Sequence, residues 1–270
     1  MHNLYRITFA LTVFSLLISC KKDPKITEPC KEEVPFTKDV TINITNMVEN
    51  AIMQVSKDTA YTASTPKYIT AENDTFSVTL FKYYISNIKL KRPNGTYYYE
   101  PESYHLINAA DTANSCRFTL KNVPIDSYTG IEFIIGVDNT RNCSGAQSGA
   151  LDVLNDMFWD WNQGYIFFKF EGFTGSFPSF GIHNITLHIG GFLQPNNLIR
   201  WANVPFGSTA LNVTTEHTSV VYLKANLMEA FRNPNPVTFT FLNTATSIAA
   251  AKIVANNYVD MFTISAIKEE

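Results

Sequence analysis

Tryptophan, cysteine and histidine are scarce in this 270-residue chain, at three, four and five residues. Basic residues do not outnumber acidic ones: 21 Lys and Arg stand against 24 Asp and Glu, a formal charge of −3. The cationic surplus that binds a phosphate backbone is therefore missing, and no nucleic-acid partner is implied. No Cys-x-x-Cys pair or Cys/His cluster points to zinc. The sequence has no Gly-x-Ser-x-Gly elbow, no His-Glu-x-x-His and no Walker loop, and spacing brings no two carboxylates together as acid and base. An enzyme is the least expected reading. Fixed-period repeats and low-complexity segments are also lacking.

The one long apolar run, Ile7 to Ile18, is too short to span a bilayer. Preceded by Arg6 and closed by Leu17-Ile18-Ser19-Cys20, it reads as a signal peptide over residues 1–19 ending in a lipobox. Cys20 is then the lipidated first residue of the mature chain. Each buried acyl methylene contributes about 0.8 kcal/mol, so a multiply acylated Cys20 would hold the protein on a membrane durably. Residues 20–35 are charged and contain proline, which marks a tether. Lys21 beside the acylated Cys favours the outer membrane of a Gram-negative envelope, with its periplasmic or outward face left open. Three thiols remain, Cys30, Cys116 and Cys143, an odd number in an oxidising compartment. Cys116 with Cys143 is the pair to test, and a bridge from Cys30 to either stays open.

What is abundant is apolar and aromatic, at 45% and 13% of residues, enough for a large core in one domain over residues 36–270. Val40 to Val48 alternates apolar with polar, and Thr75 to Lys91 begins the same way. Pro93-Asn94-Gly95 predicts a hairpin between Ile85–Arg92 and Thr96–Tyr99. Further strands are expected at 104–108, 117–121, 128–137, 165–173, 182–189, 210–213 and 219–225. Asn226 is expected to cap a short helix over 227–232, and Ala-rich spacing over 246–261 predicts an amphipathic helix on the sheet. The fold class is all-β: an antiparallel β-sandwich with few short helices and a C-terminal helix. Residues 138–164 read as a long loop with a helical turn near 150–155, and long ordered loops commonly carry function.

That loop ends in Asp156-Met157-Phe158-Trp159-Asp160-Trp161-Asn162-Gln163-Gly164-Tyr165. If the segment is extended, Trp159 and Trp161 present two indoles on one face. Such a pair can plug the end of a sandwich, or wall a pocket for a soft metal or a flat ligand. Among the histidines His105, His183, His188 and His217, the default role is a hydrogen-bonded structural one. His183 and His188 differ in parity, so only one can line an interior pocket. His188 precedes Ile189-Gly190-Gly191, where paired glycines permit close backbone approach. Beside thioether or aromatic neighbours its imidazole suits Cu(I).

Taken in order, Gly136-Val137-Asp138, Gly145-Ala146-Gln147-Ser148-Gly149-Ala150-Leu151-Asp152, Met157-x-Trp159-x-Trp161-x-x-Gly164-Tyr165, Glu171-Gly172 and His188-Ile189-Gly190-Gly191 resemble the MbnP-like copper-binding family, in its lipoprotein branch common in Bacteroidetes. The likeness runs over roughly residues 38–265. It implies a β-sandwich of the envelope that binds copper through histidine and kynurenine, the latter formed from a tryptophan by a di-haem partner enzyme of the MauG type. By that resemblance His188 matches a metal-binding histidine, and Trp159 or Trp161 the modified residue. The copper-binding members of another branch carry a second histidine where this chain has Arg141-Asn142-Cys143-Ser144. Either Cys143 supplies a softer thiolate ligand in its place, or the site is degenerate and the tryptophans are structural. The rival reading is a metal-free surface module with an aromatic platform for glycan or protein.

Overall fold

The computed structural model describes residues 36–57, 61–160, 162–177 and 181–270, with Phe177 as backbone only. The signal peptide, Cys20, the tether with Cys30, and Trp161 lie outside the described residues. The strands are β1 Thr37–Val48, β2 Ala51–Ile52, β3 Tyr68–Ile69, β4 Thr75–Lys91, β5 Tyr97–Tyr99, β6 Tyr104–Asn108, β7 Arg117–Pro124, β8 Asp126–Tyr128, β9 Gly130–Ile135, β10 Ile166–Phe177, β11 Gly181–Gly190, β12 Arg200–Pro205, β13 Leu211–Val213, β14 Ser219–Asn226 and β15 Phe262–Glu269. The α-helices are α1 Thr112–Ser115, α2 Asn139–Asn142 and α3 Ile248–Asn257.

They form a mostly-β sandwich. One sheet runs β15-β14-β1-β2 with β7 also paired to β1, and the other runs β11-β10-β4-β9-β12 with β3, β5 and β6 on β4. Alternation in β1 sends Val40, Ile42 and Ile44 inward, each 2% exposed or less. They meet an aromatic inner face on the second sheet, where Phe81 packs against Phe168, and Tyr83 of that face packs across the core against Phe262 of β15. The Tyr83 hydroxyl donates to Asn46 Oδ1 at 2.9 Å, so the phenol that enters the core leaves no unpaired polar group there.

Most expected strands appear within a few residues of their predicted bounds, and the hairpin pairs Lys91 with Tyr97. Several features differ. The pairing is not wholly antiparallel, because β1 and β14 run parallel. β12 and β15, and the short β2, β3 and β8, lie outside the expected strands. In β12 Ala202 and Val204 point inward while Trp201, Asn203 and Pro205 are exposed, a short period-two pattern that its polar residues hide. β15 follows α3 almost directly, and the predicted helix over 246–261 is shorter than expected. Ser247 Oγ accepts from the Ala250 N–H at 3.2 Å to start α3, and the chain tightens into a 3₁₀ turn at Tyr258–Asp260 before entering β15. The segment after Asn226 is likewise a 3₁₀ turn, Leu227–Phe231, and no helix among the described residues is long and apolar enough to cross a membrane.

The proposed Cys116–Cys143 bridge is absent. Cys116 is buried between α1 and β7, its sulfur 3.4 Å from Asn46 Nδ2, whereas Cys143 is exposed after α2. Both are free thiols. Burial pushes the Cys116 thiol up, against hydrogen bonds from Ser115 and Asn46 that lower it.

Candidate functional site

The site is assembled on the outer face of β10 and β11, under the long loop that joins α2 to β10. Register places Lys169 opposite both His188 and Lys82, and Glu171 opposite Thr186. Residues two apart on a strand share a face, so Lys169, Glu171 and His188 project together away from the aromatic core. His183, in the same register, is opposite the buried Thr174. The two histidines therefore face opposite sides, as their parity predicts.

The loop is fastened at three levels. At its entrance, Asp138 caps α2 by accepting from the Arg141 N–H at 3.1 Å, and it also accepts from Asn87 Nδ2 at 2.7 Å and the Tyr104 hydroxyl at 2.5 Å. Burial pushes the Asp138 carboxyl up, but the bonds from Asn87, Tyr104 and the backbone outweigh it and hold the group below the usual carboxylate range. At its closure, buried Asn142 donates to the carbonyls of Val137 and Asp138 at 2.8 and 3.0 Å and accepts from the Tyr165 N–H at 2.9 Å. In the middle, the Tyr84 and Tyr165 hydroxyls hold the carbonyls of Ala150 and Leu151. The Lys82 ammonium holds the Asn155 carbonyl at 3.1 Å. Lys169, 4% exposed, donates to the Asp156 carbonyl at 3.0 Å and its carboxylate at 2.5 Å. The expected helical turn is a pair of 3₁₀ turns, Gly149–Leu151 and Val153–Asn155.

The tryptophan segment is not extended. The Trp159 N–H donates to the Gly164 carbonyl at 3.1 Å and the Gly164 N–H to Asp160 at 2.8 Å, while Asp160 Oδ1 accepts from the Asn162 and Gln163 N–H groups at 2.7 and 2.8 Å. This reversal follows Trp159, and the pairing of its indole with that of Trp161 lies outside the described residues. The reversal turns Trp159 back onto Gly190: a Cβ there would stand 2.7 Å from Trp159 Cζ3 and 2.5 Å from the Tyr165 carbonyl. Glycine is needed for this close approach, the role its pairing with Gly191 suggested.

Trp159 and His188 thereby line one cleft of about 610 Å³, together with Asn162, Gln163, the Gly190–Leu193 turn, Gln194, Asn196 and the start of α3. Trp159 is 38% exposed. His188 Nε2 lies 2.8 Å from Glu171 Oε1, and that oxygen is 4.0 Å from Lys169 Nζ, completing a chain Asp156, Lys169, Glu171, His188. Cys143 is not part of the cleft wall. Among the described residues no group of three or more His, Cys, Asp and Glu side chains could hold a metal ion. Of the other histidines, His105 stacks on Phe118 and contacts Glu100, the structural role expected by default.

Glu171 had been noted in the sequence only as part of a motif, and Asn142, Lys169 and Asp156 carried no assigned role. The parity of Lys169 and Glu171 is readable once a strand is placed at 165–173, but their partners depend on register.

The mooring has a predictable acid limit. The Lys169 hydrogen bond holds the Asp156 carboxyl below the usual carboxylate range, burial opposes this, and the charges of Lys169, Lys82 and His188 add to the lowering. A depressed carboxyl stabilises the fold above its unfolded pKa, and the contribution is lost as pH falls through the folded value. Amide exchange around Met157 and Trp159, corrected for intrinsic rate, is expected to quicken below about pH 4. A Lys169→Met variant should lack this acid step, and equal protection of the loop on both sides of that range in the unaltered protein would contradict the mooring.

A β-sandwich with an imidazole cleft roofed by an aromatic loop is the class of protein these features define. The chain belongs to the MbnP family, whose profile matches residues 37–251. Among solved structures it is similar to MbnP from Methylosinus trichosporium, 12% identical, covering 74% of this chain and 79% of that chain with a TM-score of 0.47. No curated protein matches it.

Proposed function

We propose that this is a non-enzymatic protein of the bacterial envelope, anchored by lipid at Cys20, that binds copper at the Trp159–His188 cleft for metal handling or acquisition. The observation that carries the reading is the meeting of Trp159 and His188 on one cleft wall. Family membership supports it. The unmodified side chains fit copper poorly: His188 is the one imidazole on the wall, the neighbouring amides are weak donors, and an indole offers no nitrogen lone pair. Oxidative cleavage of the Trp159 indole C2–C3 bond by dioxygen or peroxide at the partner enzyme, followed by hydrolytic loss of C2 as formate, would leave kynurenine with an aryl amine beside the imidazole, and with that donor the set fits. Of the two candidate tryptophans, Trp159 is favoured because it packs on Gly190. The modification would be done to this protein by a di-haem partner of the MauG type. Copper here is cargo, and Cys143, away from the cleft wall, is dropped as a ligand.

Protein purified from the envelope should carry a mass change on the peptide containing Trp159 and retain copper through dialysis. Unmodified tryptophan with no retained copper would remove this reading. A second reading then gains, because the cleft is of a size that takes small organic ligands and is bordered by Leu193 and Ile248, 56% and 41% exposed. That metal-free reading is a binding cleft for glycan or peptide, with quenching of Trp159 fluorescence by the ligand as its signature.

A further inference from the structure

The copper reading leaves open which imidazole nitrogen faces the ion and what holds it there. His188 lines the cleft, yet its Nε2 is committed to Glu171 Oε1 at 2.8 Å, and Glu171 is not part of the cleft wall. A carboxylate accepts and a neutral imidazole has one N–H. The proton of a neutral His188 is therefore drawn to Nε2, and the lone pair is left on Nδ1, which makes no hydrogen bond among the described residues. We infer that Glu171 is a positioning residue that fixes His188 as the Nε2–H tautomer and presents Nδ1 to the cleft as its donor atom. In the copper reading, on which this second half rests, the metal-bound nitrogen is Nδ1.

Glu171 is itself held. Its Oε1 lies 4.0 Å from the Lys169 ammonium, which is 4% exposed and bonded to Asp156 at 2.5 Å. That attraction keeps the carboxylate over the sheet, beside the imidazole, instead of out in solvent. The same ammonium moors the loop that carries Trp159, so one buried lysine sets the position of both sides of the cleft. An acceptor behind a ligating histidine fixes ring orientation and raises donor strength, and its loss typically lowers metal affinity about 10- to 100-fold.

The test uses 15N-histidine-labelled mature protein purified from the envelope, shown by mass to carry the Trp159 modification and stripped of metal, near pH 8, where an imidazole is neutral, followed by titration with copper(I) alone. Nitrogen NMR should report His188 protonated at Nε2 in the unaltered protein. Glu171→Leu should give a mixed or reversed tautomer and a copper affinity lower by about 10- to 100-fold. Glu171→Gln, whose amide oxygen still accepts from Nε2–H, should keep the tautomer and most of the affinity, a rescue that a purely structural role for the carboxylate does not predict. His188 protonated at Nδ1 in the unaltered protein, or an unchanged tautomer and affinity in Glu171→Leu, overturns the inference. If the unaltered protein takes up no copper, the copper reading fails, and the tautomer, which needs no metal, still decides the role of Glu171.

Discussion

Replacing Asn142 with alanine is expected to lower stability by about 3 to 5 kcal/mol, the sum of two buried groups left unpaired at about 1 to 3 kcal/mol each. Asn142 is 3% exposed and ties the two ends of the long loop together, donating to Val137 and Asp138 and accepting from the Tyr165 N–H. Alanine strands the Val137 carbonyl and the Tyr165 N–H away from water, whereas the Asp138 carbonyl keeps the backbone N–H of residue 142. In a domain of this size each kcal/mol moves Tm by about 2 to 4 °C, so a fall on the order of 10 °C should be visible in thermal melts, with a matching drop in the urea midpoint. Asn142→Asp tests the mechanism, because it keeps the acceptor for Tyr165 but loses both donors. A loss under about 1 kcal/mol for alanine would mean that the loop closes without this staple. Asn142 serves closure, and Cys143 beside it faces solvent.

A second large effect is expected at Gly172, where β10 crosses an irregularity in its pairing with β4: Glu171 is opposite Leu80 and Gly172 opposite Val78, leaving Thr79 as an extra residue. A Cβ on Gly172 would stand 1.9 Å from the Ser77 carbonyl oxygen and 3.0 Å from its carbon. Both are backbone atoms of a central strand and cannot turn aside. Overpacking commonly costs about 1 to 3 kcal/mol, and a backbone collision belongs at or above the top of that range. Gly172→Ala should therefore unfold the domain or lower its stability by about 3 kcal/mol or more. Gly145→Ala is the comparison, since its Cβ would meet nothing within 4 Å and only the left-handed backbone is penalised, by about 1 to 2 kcal/mol. Equal losses at the two positions would contradict the collision. Glu171 immediately precedes Gly172, so this variant should also release the carboxylate from His188.

Local pattern carried much of the architecture. Alternation in β1 and the first half of β4 marks half-buried strands, Pro93-Asn94-Gly95 marks the hairpin, and the Gly- and Asn-rich composition of 138–164 marks a loop. Where the pattern failed, the reason is physical. β15 is an edge strand whose exposed and half-buried residues give weak alternation, and it begins within two residues of a 3₁₀ turn, so the helical signal of α3 runs over it. After Trp159 the chain turns because the side chain of Asp160 bonds its own downstream backbone at Asn162 and Gln163, a local competitor to an extended strand.

The sequence by itself determined that this chain is an apolar, aromatic-rich β protein with one unusual loop, because periodicity and turn residues act over a few neighbouring positions. It also singled out His188 and the glycines after it. Only the tertiary structure decided that Trp159 lies against Gly190, that Glu171 takes one nitrogen of the imidazole, and that Lys169 links that pair to the loop. Those contacts join residues as much as 31 positions apart, from Trp159 to Gly190. They depend on a strand register in which Phe167 and Thr79 are each an extra residue. A shift of one residue would send His188 to the opposite face, and no local pattern encodes where such a shift occurs.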